Sequence, residues 1–142
     1  MTSAVTTCVR AATCGVLLTA GGLHLAWGRG SSFPFATSAS LADKVVGAPR
    51  TPSPGACYAV ASGLAAAAAL VAIPSRNRPH RLVLGALATV FAVRAAFGFA
   101  GRTDLIVPGS SSSAFRRNDR RVFSPICLGL ALGVATAGRA DP

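Results

Sequence analysis

Leu82 to Gly101 reads LVLGALATVFAVRAAFGFAG, twenty residues with one charge, Arg94. Twenty apolar residues in a helix cover about 30 Å, the thickness of a bilayer's hydrocarbon core. An arginine near the middle costs roughly 2.5–3.5 kcal/mol on an insertion scale, while each Leu, Val or Phe returns about 0.3–0.6. Nine such residues in this stretch therefore offset roughly 3–5 kcal/mol. The stretch inserts, with little margin. Arg94 sits about 4 Å from the midplane at a 1.5 Å rise, so it needs a partner.

The totals agree with a membrane reading. Half of the 142 residues are hydrophobic and only 13% are charged, against about 25% in soluble domains. The length suits one domain, 1–142. Fourteen basic residues against four acidic ones give a net charge of +10. The basic residues fall almost entirely between the hydrophobic stretches, as membrane flanks do. Such a distribution meets anionic lipid headgroups and excludes a nucleic-acid binder, which needs a basic face of its own. Thirteen of the fourteen are arginine; with the abundant alanine, this points to a GC-rich bacterial source.

Three further stretches read as spans, at 11–28, 55–73 and 122–138, beside 82–101. The first is preceded by a polar segment with Arg10. It is read as a retained span and not a cleaved signal, because no small-x-small cleavage site followed by a soluble domain is evident. His24 and Trp27 share a face near its end. The second, GACYAVASGLAAAAALVAI, is alanine-rich and marginal alone; Gly55, Ala59, Gly63 and Ala67 form a small-residue stripe suited to close helix packing. The basic turn with Arg76, Arg78, His80 and Arg81 is short, so spans two and three are expected to be antiparallel neighbours, with His80 solvated. Ser110–Ser113 reads as a flexible linker. In the fourth span Ser124 is the expected cap, Pro125 suits the first turn, and Gly129 and Gly133 form a second packing motif.

Between spans one and two, Ser40-x-x-Asp43 has capping-box form and Gly47 is the expected stop. A short amphipathic interfacial helix is predicted over 40–47. Pro49, Pro52 and Pro54 then extend the chain. The expected architecture is all-α: a membrane four-helix bundle with this helix in its first loop.

Antiparallel spans place the first and third loops on one side. His24, Trp27, Tyr58, Arg94, Asp119 and Ser124 all lie toward that side, so a candidate polar pocket opens there. Opposite, Arg10, Arg76, Arg78, Arg81 and Arg139 read as interfacial anchors, and Asp141 is too far to pair with Arg94. Asp119 or Asp43 could reach it by dipping inward. If Asp119 closes on Arg94, the arginine is structurally locked; an open pocket reaching His24 would favour transport or ligand binding. Loops one and three carry eight Lys/Arg and the other side five, which puts these loops in the cytoplasm.

Chemistry is sparse. No nucleophile–base pair, phosphate loop or paired carboxylates occurs, and no catalytic residue is assigned. The four cysteines lack CxxC spacing; Cys57 and Cys127 lie toward the same side. A bis-histidine haem lacks its second histidine, since His80 is on the far side. No cofactor and no metal is expected. The leading expectation is a multi-pass protein of the bacterial plasma membrane with a structural, partner-binding or small-ligand-binding role, alone, as a homo-oligomer or with a membrane partner. The alternatives are a small transporter or channel component using Arg94 and His24, and a membrane oxidoreductase.

Taken in order, His24 with Trp27, the Leu41-Ala42-Asp43-Lys44-Val45-Val46-Gly47 segment, Arg94, and Asp119 ahead of Ser124-Pro125-Ile126-Cys127-Leu128 resemble the domain-of-unknown-function 3995 family of small four-span bacterial membrane proteins. The resemblance implies the four-span fold and the membrane location. It implies no activity, because the family has none established.

Overall fold

The computed structural model describes residues 3–74 and 77–139, and no strand occurs among them. Arg76 and Asp141, placed above on the far side, lie outside the described residues. Four helices are long and apolar enough to cross a membrane. They are α1 (Ser3–Gly28), α3 (Pro54–Ala72), α4 (Arg78–Ala100), and a continuous helical run over Ser113–Gly138. That run consists of α5 (Ser113–Asn118), a π-turn (Asp119–Phe123) and α6 (Ser124–Gly138). A short α2 (Ser38–Leu41) continues into a second π-turn, Ala42–Val46.

The boundaries follow from caps. Ser53 and Asn77 accept from the backbone N–H of Ala56 and His80 at 3.2 and 2.9 Å, starting α3 and α4. Gly101, at φ 68°, ends α4. Its N–H reaches Gly98 O and that of Arg102 reaches Phe97 O, a Schellman motif. Gly30, at φ 91°, ends α1 the same way.

Three expected starts move upstream. The first helix begins at Ser3 and not near residue 11, because nothing between 3 and 10 breaks it and Arg10 is anchored on a neighbouring helix. The interfacial helix begins at Ser38: Thr37, not Ser40, is its cap, accepting from Ser40 N. The fourth span starts at Ser113 instead of Val122, capped by Ser112. Ser124 is therefore interior and not a cap. Pro125 would ordinarily end a helix, since it offers no N–H to residue 121 and crowds that carbonyl. Here the turn before it is widened, with Ser124 N donating to Asp119 O, and the helix passes through.

The helices do not pack in simple chain order. α1 lies against α3, α4 against α6, and α1 against α6. The turn joining α3 and α4 is short, yet these two touch little, which corrects the neighbour expectation. Alanine-rich α3 gains more from close approach to α1, where Gly21 faces Ala61 O and Leu64 Cβ, both 3.5 Å from its Cβ position. Cys14 Sγ also donates to Ala68 O at 3.4 Å there. Leu17, Ala67, Ala68, Val71, Leu84 and Val134 form much of the apolar core, toward the end bearing the α3–α4 turn. Outward faces are apolar too: Leu18, Val60, Val90 and Leu132 are each more than 40% exposed, a surface suited to lipid.

The far end is tied by carbonyl contacts, not by simple anchors. Arg10 Nη2 donates to Ala137 O and Arg81 Nε to Gly138 O, both at 3.1 Å. Cations at a helix C-terminus are favourable by about 0.3–1 kcal/mol. His80 is half-buried and not a free loop side chain: its Nε2 donates to Leu70 O at 3.0 Å, satisfying the end of α3.

The two small-residue motifs separate. Gly133 sits against Thr13, whose Oγ1 occupies the space a Cβ would need, whereas Gly129 faces open space. On α3, Ala67 is buried but Gly55, Ala59 and Gly63 are exposed, and a Cβ at Gly55 or Gly63 would meet nothing among the described residues. Gly133→Val is thus expected to lower stability by about 1–3 kcal/mol, while Gly129→Val stays near wild type. Thermal unfolding in mild detergent compares the two.

Candidate functional site: a closed polar centre beneath a docked cap

Arg94 lies one helical turn before Gly98 on α4, so both face α6. Its guanidinium meets Asp119 with two bonds: Nη2 donates to Oδ1 at 2.8 Å and Nη1 to Oδ2 at 3.3 Å. Thr103 Oγ1 donates to Oδ2 and Ser124 Oγ to Oδ1, the latter at 3.4 Å. Both carboxylate oxygens thus accept two bonds. Asp119 is 1% exposed and Ser124 and Thr103 are equally buried, while the Arg94 side chain is 25% exposed. Opposite charge, bidentate geometry and added hydroxyl donors are what a buried ion pair requires to offset desolvation.

Three local features build this centre. The absence of a side chain at Gly98 makes the space, because a Cβ there would overlap Ser124 Oγ and stand 2.8 Å from Arg94 Nη1 and 3.0 Å from Asp119 Oδ2. The Schellman turn at Gly101 swings the chain so that the short 3-10 turn Thr103–Leu105 returns Thr103 over the carboxylate. The π-turn begins at Asp119 and rotates it inward while Arg120 and Arg121 stay exposed.

A cap fixes the π-turn from outside. Gly47 ends the first loop's helix at φ 76°, and its carbonyl accepts from Ser111 N and Ser112 N at 3.0 and 3.2 Å. Ser112 Oγ donates to Asp43 O at 2.8 Å, and Asn118 Nδ2 to Lys44 O at 3.2 Å. Phe115 lies so close to Gly47 that any Cβ there would stand 2.7 Å from its ring. The Ser110–Ser113 segment is therefore no flexible linker; Ser110 is buried and its neighbours dock loop three onto loop one. The LADKVVG segment is the mount that holds α5, and α5 holds Asp119.

The other expected site residues form a separate group. His24 Nδ1 donates to Ala20 O at 2.8 Å, and its ring lies 4.8 Å from that of Trp27. Trp27 Nε1 donates to Phe33 O at 2.7 Å and Tyr58 Oη to Gly28 O at 3.0 Å. These contacts join the end of α1 to its following loop and to α3. No hydrogen bond or ring contact links them to Arg94 among the described residues. Cys57 is buried at the α1–α3 contact, beside Gly28, and all four cysteines are free. No three His, Cys, Asp or Glu side chains gather as metal ligands among the described residues.

Gly98 and Thr103 were not singled out from the sequence. Gly98 carried a signal, a residue without a side chain four places after a buried arginine on the same helical face. Thr103 carried none, because its return depends on the turn at Gly101.

A family model described as a protein of unknown function, DUF3995, matches residues 17–135. The chain belongs to the DUF3995 family. The matched stretch contains His24, LADKVVG, Arg94 and Asp119 through Leu128, so the whole lock and its mount fall within the family's extent. No curated protein and no solved structure is significantly similar to the chain.

Proposed function

We propose that this DUF3995 member is a multi-pass protein of the bacterial plasma membrane with a structural or partner-binding role and no catalytic one. One observation carries the reading: the charge of Arg94 is engaged by Asp119, which is itself closed off by Thr103 and Ser124. A transport path would need a mobile or hydrated charge at this depth. A carboxylate with four donors, packed on Gly98, supports a fixed joint between α4 and α6 instead. The apolar outward faces support residence in lipid.

Reconstitution tests this directly. Liposomes containing the purified protein are expected to show no proton or anion flux above protein-free liposomes. A flux that Arg94→Ala abolishes would replace the structural reading with the transport one.

A further inference from the structure

Beside the closed centre lies a second polar feature of opposite character. A cavity of about 480 Å³ is lined by Gly101, Ser113, Arg116, Arg117, Arg120 and Arg121. Two of the arginines come from α5 and two from the π-turn. All four are exposed. Their charge is not neutralised locally: Asp119, the acid in the same run, is turned inward onto Arg94, and Asp104 lies 3.9 Å from Arg102. The side chains of Arg116, Arg117 and Arg121 have no hydrogen-bond or ion-pair partner among the described residues, and Arg120 Nη2 donates only to Ala100 O, at 3.4 Å.

The cavity is shaped by backbone as well as by charge. Gly101 is left-handed, and Arg120 lies across it where a Cβ would stand. That close approach places the Arg120 guanidinium at the end of α4 and leaves the cavity open beside it. Arginine forks match phosphate oxygens with paired N–H donors, and Ser113 adds a hydroxyl. Next in the chain, Leu105, Ile106 and Val107 are 57, 40 and 42% exposed. An arginine cluster at the end of helices long enough to span a membrane, with an exposed apolar segment a few residues along the chain from its Gly101 wall, lies where headgroup phosphates are found.

We propose that this cavity binds a phosphate group, that of an anionic phospholipid headgroup or free phosphate. Protein purified in uncharged detergent is titrated with phosphatidylglycerol and, separately, with inorganic phosphate. Bound species are counted by native mass spectrometry and phosphorus resonance. Arg116→Gln/Arg117→Gln is the main variant, because neither side chain has a partner to lose. Arg29→Gln/Arg50→Gln removes the same charge from exposed positions outside the cavity.

The cavity pair is expected to weaken binding about thirtyfold, from roughly one headgroup-contact's worth per arginine, and the control pair to change it less than about threefold. Gly101→Ala, which displaces Arg120 without altering charge, is expected to weaken binding as well. Saturable binding of phosphatidylglycerol alone identifies a headgroup as the source; competition by inorganic phosphate identifies the free anion. Equal losses from both arginine pairs, or no saturable binding of either probe, would overturn the proposal.

Discussion

Asp119→Leu is expected to destabilise the protein by about 3–5 kcal/mol, the cost of removing one member of a buried ion pair. The effect is large because four donor groups on three side chains lose their acceptor together. Arg94 keeps its charge in the middle of an apolar helix, and the Thr103 and Ser124 hydroxyls are left to find other partners. On the insertion scale the arginine alone costs roughly 2.5–3.5 kcal/mol. The same loss should not follow Asp104→Leu, whose pairing with Arg102 is long and exposed and of a kind contributing about 0–1 kcal/mol. Denaturant titration in mixed micelles, with helicity as the signal, compares the two variants.

Gly98→Leu is expected to be nearly as damaging, for a steric reason. Even the first added carbon overlaps Ser124 Oγ and crowds both members of the ion pair. Overpacking alone costs about 1–3 kcal/mol, and here it also separates Arg94 from Asp119. The mechanism has its own signature in the milder variant. Gly98→Ala should be partly rescued by Ser124→Ala, which removes the atom in the way. Additive losses from Gly98→Ala and Ser124→Ala would mean that Gly98 acts through helix flexibility and not through space.

The four long helices were legible because hydropathy and span length report directly on transfer to lipid, a property of each segment by itself. Gly47 was legible as a stop because a left-handed turn needs glycine, whereas Gly101 was read only as the last residue of an apolar span. The joint between Arg94 and Asp119 was half legible. An arginine in a span demands a partner, and Asp119 lies on the right side, but only the π-turn brings it inward. That turn was hidden by Pro125, which read as the start of a helix and is instead accommodated within one. The same misreading placed Ser124 at a cap. His24, Trp27 and Tyr58 were expected to share one pocket with Arg94 because they lie at the same depth. Depth does not fix rotation about the bundle axis, and the packing of α1 on α3 turns their contacts onto the end of α1.

The docking of loop one onto loop three was the least legible feature. Its bonds run largely through the carbonyls of Asp43, Lys44 and Gly47, and backbone acceptors leave no residue-type signature. Once that dock is seen, the spacing of LADKVVG gains a reason: the segment must present three carbonyls at one helix end and no side chain under Phe115.

The central claim is that Arg94 and Asp119 act as one structural unit. A double-mutant cycle in stability between Arg94→Met and Asp119→Leu measures this most directly. The expected result is a coupling of about 2–3 kcal/mol, with the doubly apolar variant more stable than Asp119→Leu alone, as when apolar side chains replace both members of a buried pair. Losses that add to within about 0.5 kcal/mol would contradict it.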